Sequence, residues 1–443
     1  MIKRKRAGVV FGAAAVATGM LLSACGGNGS SESDGPQASG ENGGSSSEEL
    51  EDVELRMTWW GGDARHEGTQ AAIAAFEEKY PHISVVTDFG GFDGYLDKIT
   101  TQYAGGNSPD VMQLYNEVIV EFADRDQLYD LNDAVTDGVL SLDGWAEDVI
   151  DMNTVNDKLV ALTFGSNTHG FIFNETISED LGVEIPDEGY SWEDLKTYSL
   201  AIAEASNGET VGTNDLAHGY QPFEVWAKQH GEEFLTADGI GFSAETLEGY
   251  WSYWEDMRSI GAVPSPDVST EYQGTPFNAV VDNVTASTFI FINQFEMVTE
   301  ATPDDLTILR MPGEGGTPGQ YQRAAMNLAI SSQSEHPKEA AMLVDFLLNS
   351  EEANAAMGVE RGIPSNTNMF ATATQDVNEI GQEANAIFES VVENGAPAPV
   401  PAPAGSAAVN TLFAEYAEEV QFGNMSVSEA VEKFLAEAES ELG

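Results

Sequence analysis

Along the chain, apolar residues recur with one of two periods, and the places where the period changes mark the elements. Val53-Glu54-Leu55-Arg56-Met57-Thr58-Trp59-Trp60 alternates and stops at Gly61-Gly62, the pattern of a strand running into a turn. Ile73, Phe76 and Tyr80 then recur at helical spacing until Pro81 breaks the run. Ile83 to Phe89 reads as a second strand, Leu96, Ile99 and Tyr103 as a second helix, Gly105 to Pro109 as a turn and Asp110 to Leu114 as a third strand. This order of strands and helices predicts a parallel sheet with right-handed crossovers.

Further on, Leu159 to Leu162 and Phe171 to Phe173 predict strands flanking the polar segment Gly165-Ser166-Asn167-Thr168-His169. Ser191 with Asp194 has the form of a capping box for a helix from Trp192. Phe223, Trp226 and His230 share one helical face, as do Leu247, Trp251 and Trp254. Ala286 to Ile292 is β-rich, Pro337 opens a helix through Leu347, and Val427 to Leu442 ends the chain as an amphipathic helix. Ala396 to Ala404 alternates proline with small residues, which predicts an extended polyproline-type strap.

The chain before Val53 follows neither period. Lys3-Arg4-Lys5-Arg6 precedes an uncharged run from Ala7 to Ala24, the basic start and apolar middle of a secretory signal. Leu22-Ser23-Ala24-Cys25 resembles the lipobox of bacterial lipoproteins, and Cys25 is the only cysteine in 443 residues. The resemblance implies a signal peptide over 1–24 and a lipid bilayer as partner through acylated Cys25. Two acyl chains, at roughly 0.8 kcal/mol per buried methylene, hold a protein firmly where one does not. The competing reading is an uncleaved membrane helix, for which about 18 weakly apolar residues stand at the short end of what spans a bilayer. Gly26 to Asp52 is too polar to offset its ordering entropy, so 25–52 is expected to be a flexible acidic tether.

Removing such a signal takes four of the 18 basic residues and none of the 74 acidic ones, leaving 14 against 74 and a net charge of −60. That balance argues against nucleic acid as a partner, which needs clustered Lys and Arg, and favours a soluble monomer. With no cysteine after Cys25, a disulfide, a thiolate metal site and a cysteine nucleophile are all excluded from the folded part. Roughly 390 residues follow the tether, more than one core usually organises, so two domains are expected.

Several segments together carry a family resemblance. Trp59-Trp60-Gly61-Gly62-Asp63, Phe76 to Tyr80-Pro81-His82-Ile83 and Gly106-Asn107-Ser108-Pro109-Asp110-Val111 resemble the extracellular sugar-binding proteins of ABC importers. Asn156 to Leu159, Phe173-Asn174, Trp192 to Leu195, Ser334 to Ala340 and Arg361-Gly362-Ile363-Pro364-Ser365 follow in the family's order. The resemblance implies an α/β, two-lobed periplasmic-binding-protein-like fold, each lobe a mostly parallel sheet flanked by helices, with three crossover segments and a sugar enclosed in the cleft. Crossings are expected near Phe164, Thr288 and Ser331. The N-terminal lobe is then 53–163 with 289–331, and the C-terminal lobe 164–288 with 332–443. Val281-Asp282-Asn283-Val284 departs from the family, which usually has Gly followed by a basic residue there.

A sugar is held by flat apolar surfaces against its C–H faces and by polar side chains on its hydroxyls. Trp145, Trp192, Trp226, Trp251 and Trp254 fall in helical patterns and suit the core. Trp59 and Trp60 end a strand, at the carboxyl edge where open α/β sheets place ligands, and alternation sends one inward and the other, Trp60, to the cleft. Asp63 and His66 follow in the same loop, and Gln113, Tyr115, Asn116 and Glu117 end the third strand. Asn167 and Thr168 lie at the first expected crossing, Asn293 and Gln294 follow the β-run, and Arg361 precedes Gly362-Ile363-Pro364. Each polar candidate also suits a plain surface loop, turn or salt bridge.

Catalytic signals are poor. There is no Gly-Lys dipeptide, hence no phosphate-binding Walker loop, no Gly-x-Ser-x-Gly elbow and no His-Glu-x-x-His zinc helix. Gly313-x-Gly315-Gly316 precedes Thr-Pro and reads as a loop. No metal or cofactor is expected. The expected function is capture of a sugar or short oligosaccharide on the extracellular face of the bacterial cytoplasmic membrane and delivery to ABC permease subunits. The alternatives are a surface glycoside hydrolase and a sugar-sensing co-receptor.

Overall fold

Among the described residues nine strands form the two larger sheets, the first with one hydrophobic core cluster and the second with two. The computed structural model describes residues 51–313 and 319–443, which belong to one compact unit, Leu50–Gly443. The apolar run Ala7 to Ala24, Cys25, the tether up to residue 50, and Gly315 and Gly316 lie outside the described residues.

The first lobe begins with β1 (Val53–Trp60), α1 (Asp63–Lys79), β2 (Ile83–Gly90), α2 (Tyr95–Ala104), β3 (Val111–Leu114) and α3 (Asn116–Asp124). A short helix α4 (Glu147–Asp151) leads to β4 (Leu162–Asn167). The chain then enters the second lobe through β5 (His169–Asn174), α5 (Trp192–Ala205), β6 (Val211–Thr213), α6 (Tyr220–Gln229), α7 (Ala244–Ser259), β7 (Thr285–Phe291), α8 (Phe295–Ala301) and β8 (Leu306–Leu309). It returns with β9 (Arg323–Ile330), α9 (Pro337–Asn349) and α10 (Glu351–Met357), and finishes with α11 (Glu379–Asn394), α12 (Ser406–Gln421) and α13 (Val427–Leu442).

The first sheet has the order β2-β1-β3-β9-β4 and the second β8-β5-β7-β6. β1 runs parallel to both β2 and β3, with Val53 opposite Ile83 and Trp60 opposite Gly90. Leu55, Met57 and Trp59 point together into the first core with Ile73 and Phe76 of α1, as alternation and helical spacing require. The second core gathers Trp192, Phe223, Tyr250, Trp251, Trp254, Phe413 and Phe434 from five helices. At roughly 1.5 to 3 kcal/mol for each large buried side chain, these two clusters hold the lobes. The expected capping box is present: Asp194 N–H donates to Ser191 Oγ at 3.1 Å and Ser191 N–H to Asp194 Oδ2 at 2.9 Å.

The two-lobed α/β architecture is as expected, but both sheets are mixed rather than mostly parallel. β9 is antiparallel to β3 and β4, and β5 is antiparallel to β7 and β8. The cause is the crossings. A strand that carries the chain out of one sheet at its ligand edge must enter the other sheet at that sheet's ligand edge, and so runs against the strands that end there.

Strand membership also moves the crossings. The first lies at Thr168, between β4 and β5. The second does not lie near Thr288, which pairs with Ile172 inside β7; it lies at 319–322, between β8 and β9. The third does not lie near Ser331, because α9 and α10 after it pack on α1 of the first lobe; the chain crosses over 358–378 and reaches α11, which packs on α8. Hydrophobic alternation marks a strand but not the sheet it joins, and β7 is buried almost throughout. The polar segment from Gly165 is largely strand: it completes β4 and opens β5, with Ser166, Asn167 and Thr168 bonded to Gln322, Asn293 and the Tyr321 carbonyl.

Candidate functional site

The two β-crossings run side by side and form a polar floor between the lobes. Thr168 Oγ1 donates to the Tyr321 carbonyl at 2.8 Å, and Gln322 Nε2 to Ser166 Oγ at 2.7 Å. Gln320 Nε2 donates to the His169 carbonyl. His169 is wholly enclosed by rings, with Phe289 and Tyr321 at 5.2 Å and Phe291 at 5.3 Å, and neither ring nitrogen has a partner. Burial, helped by the Arg323 charge, holds its pKa well below the ordinary histidine range. At the head of β9, the Arg323 guanidinium stands 4.9 Å over the Phe291 ring at the foot of β7.

At the edge of the first lobe alternation gives the two tryptophans different neighbours, but it does not send Trp60 outward: both rings are buried in the first core. Trp59 is buried, stacks on Phe89 at 4.9 Å and donates from Nε1 to His66 Nδ1 at 3.1 Å, which leaves the neutral imidazole proton on Nε2. Trp60 is only 9% exposed and meets Phe92, Tyr95 and Tyr115 edge-on. The open ring of that cluster is Phe92, 54% exposed, a residue that sequence reasoning missed. Asp63 is exposed in the first turn of α1, where its charge complements the helix dipole.

Three of the sequence candidates are turned inward. Gln113 is buried, donating to the Trp60 carbonyl at 3.3 Å and accepting from Arg361 Nε at 3.2 Å. Thr168 is spent on the floor. Arg361, 4% exposed, lies 4.4 Å over the Phe164 ring and donates to Thr69 Oγ1 at 2.5 Å. Burial, with Arg65 nearby, lowers its pKa to about 9. These residues brace the first lobe, because the loop carrying Arg361 lies against the edge of β4, where Ser166 pairs with Ile363. Two glycines permit that approach: a Cβ on Gly165 would come 2.2 Å from the Arg361 carbonyl, and one on Gly362, at φ +104°, 2.3 Å from the Ser166 carbonyl.

Other candidates meet across the lobes. Asn167 Nδ2 donates to Asn293 Oδ1 at 2.8 Å, joining β4 to the turn after β7. Both border a cavity of about 450 Å³ with Glu296, Glu300 and Glu360. Gln294 closes that turn by accepting from Phe291 N–H at 3.0 Å. Asn116 Oδ1 accepts from Asn327 Nδ2 at 2.6 Å, and Tyr115 stands against Trp60. The side chain of Glu117 lies outside the described residues.

A second cavity, of about 90 Å³, opens where the first lobe's Asn116 and Met152 face Tyr220, Glu224 and Asn410 of the second across Arg323. Tyr220 and Asn410 also border a neighbouring cavity of about 350 Å³ that includes Phe291. Glu224 accepts from the Tyr321 hydroxyl, and burial raises its carboxyl pKa above the ordinary range. Lys228 Nζ lies 5.1 Å over the Tyr321 ring and 2.5 Å from the Glu233 carboxylate. The cleft therefore presents flat rings beside the separate amides of Asn116 and Asn410 and a guanidinium, the groups that take up C–H faces and hydroxyls. Among the described residues no cluster of His, Cys, Asp and Glu could hold a metal ion. Tyr220, Phe291, Arg323 and Asn410 were missed in the sequence. The one available signal was Arg323, the lone charge of a strand that is apolar but for Asn327.

Residues 62–354 match the family described as bacterial extracellular solute-binding protein. Among solved structures, the chain is similar to an extracellular solute-binding protein of family 1 from Alicyclobacillus acidocaldarius, with 26% identity, 89% of this chain and 99% of that one covered, and a TM-score of 0.74. A periplasmic oligogalacturonide binding protein from Yersinia enterocolitica is 24% identical over 88% of this chain and 100% of its own, with a TM-score of 0.74. The GacH receptor of Streptomyces glaucescens, described unliganded and in complex with acarbose, is 19% identical over 89% and 99%, with a TM-score of 0.67.

Proposed function

Because the chain belongs to the bacterial extracellular solute-binding protein family, we propose that it is the receptor of a carbohydrate ABC importer. It captures a sugar or short oligosaccharide between its lobes and hands it to permease subunits, without making or breaking a bond. The observation that carries this reading is the interlobe cleft, where Tyr220 and Phe291 supply rings and Asn116, Arg323 and Asn410 supply hydrogen-bonding ends. The oligogalacturonide and acarbose bound by two similarly folded proteins support a carbohydrate. A thermal-shift screen over mono- and oligosaccharides tests it, since a ligand at 100 times its Kd stabilises by about 2.7 kcal/mol. A melting point unmoved by every sugar class would sink the carbohydrate reading.

The receptor is held at the membrane by lipid on Cys25. Among the described residues no helix is long and apolar enough to cross a membrane. Cys25→Ser is expected to leave the protein unprocessed or released, because the thiol is the lipid acceptor. Fractionation decides it: a serine variant bound as tightly and processed to the same size as the parent rules the anchor out.

A further inference from the structure

The strap between α11 and α12 joins two helices of the second lobe but leaves that lobe on the way. Ala396 N–H donates to the Gln320 carbonyl at 2.8 Å, and Lys228 Nζ donates to the Pro397 carbonyl at 3.0 Å. One residue later, Ala398 N–H donates to Asp148 Oδ2, on α4 of the first lobe, at 3.0 Å. The Ala398 side chain is buried in the first lobe's core, whereas Ala396 and Ala402 pack on the second. Prolines at 397, 399, 401 and 403 fix φ and remove donors, so the strap is stiff, and the N–H groups of Ala396 and Ala398 tie it down.

This strap separates two spaces. Val400 and Pro401 border the cleft cavity that holds Tyr220 and Arg323, and the same two residues border an outer cavity of about 430 Å³ lined by Asp151 and Asn156. Pinned to both lobes, it stands as a wall across one end of the cleft, while the side toward Tyr220 and Phe291 continues into the neighbouring cavity.

We infer that the strap is the blind end of the binding cleft, so that an oligosaccharide is held by one terminus against Val400 and Pro401 and its chain leaves past Tyr220 and Phe291. The protein then selects chain ends and not internal segments. This rests on the carbohydrate reading above.

The test uses linear tetrasaccharides of the malto, cello, xylo, manno and galacto series. The tightest binder is compared with two derivatives, one carrying a naphthyl group at the reducing end and one carrying a bulky aryl ether on the non-reducing terminal ring. One derivative should lose at least about 30-fold in affinity and the other change by less than about threefold, a difference calorimetry resolves easily. Equal tolerance of both groups, or equal rejection, overturns the inference and leaves the carbohydrate reading standing. Ala398→Pro removes the N–H that holds the strap to Asp148 yet keeps the extended backbone; Asp148→Ala removes the acceptor instead. In either folded variant the sensitive end should become tolerant, and an unchanged penalty in both places the block elsewhere. If no series binds, the carbohydrate reading fails and this inference with it.

Discussion

The guanidinium of Arg323 lies 4.9 Å over the ring of Phe291, and in doing so joins the strand that returns to the first lobe with the strand that ends at the cleft in the second. The pair presents one flat face and one set of donors at the floor. Phe291→Ala removes the ring and its contact with the guanidinium. It should weaken sugar binding by about 1 to 3 kcal/mol, the range of binding-site aromatics, with little change in the thermal melt, since Phe291 is only half-buried. Calorimetry with wild-type affinity would remove this pair from the site.

Trp59, Trp60 and Phe92 should separate stability from binding. Trp59→Ala and Trp60→Ala both empty buried volume and should each cost about 3 to 5 kcal/mol in stability. Phe92→Ala removes a ring that is already 54% exposed and leaves no enclosed cavity, so it should melt within about 0.5 kcal/mol of wild type, while lowering affinity. If Trp60→Ala proves as stable as wild type and loses affinity alone, its ring is an open platform and not the base of the cluster.

His169 should give the protein an acid-sensitive limb. Its ring is neutral in the folded state and shut among Phe289, Phe291, Tyr321 and Arg323, while the unfolded chain takes up a proton at about pH 6.5. The unfolded state therefore binds more protons as pH falls below that value, and stability declines. His169→Phe keeps the ring volume without the nitrogens, so it should melt near wild type at pH 8 and flatten the decline below pH 6.5. Parallel acid profiles for the two proteins would assign the limb to other groups.

Glu224 acts with the opposite sign. Burial raises its folded pKa, so its contribution to stability is fully present below the ordinary carboxylate value near 4.5 and is lost as pH rises through the raised value. Glu224→Gln keeps an acceptor for the Tyr321 hydroxyl and carries no charge. The variant should gain melting temperature over wild type at pH 7 to 8, and the gain should vanish near pH 4. A variant less stable at neutral pH would show that Lys228 and Arg323 more than repay the buried charge.

Local structure was legible in the sequence wherever one pattern decided it. The strand Val53 to Trp60, the capping box of Ser191 and Asp194, and the helix after Pro337 all follow from period and punctuation. Alternation told Trp59 from Trp60 by neighbours, but not that Phe92, Tyr95 and Tyr115 close over Trp60. What could not be read was which sheet a strand joins. Thr288 lies inside one apolar strand and Ser331 directly follows another, and neither pattern says which sheet its strand completes. The site suffered for a related reason. Gln113 and Arg361 carry polar groups to the right edge, but a contact between residues 248 positions apart consumes them inside the lobe. Asn167 and Asn293 do meet, although only the assembled crossing shows it.

The place of β9 between β3 and β4 has a consequence for biogenesis. The first lobe cannot close its sheet until Ile330 has been made, and cannot cover it until α9 and α10 follow. At about 5 to 20 residues per second, β9 leaves the ribosome roughly 10 to 40 s after β3. Once β4 has been made, β3 and β4 have an empty berth between them until β9 arrives, so the first sheet is completed after the second, whose last strand ends at Leu309.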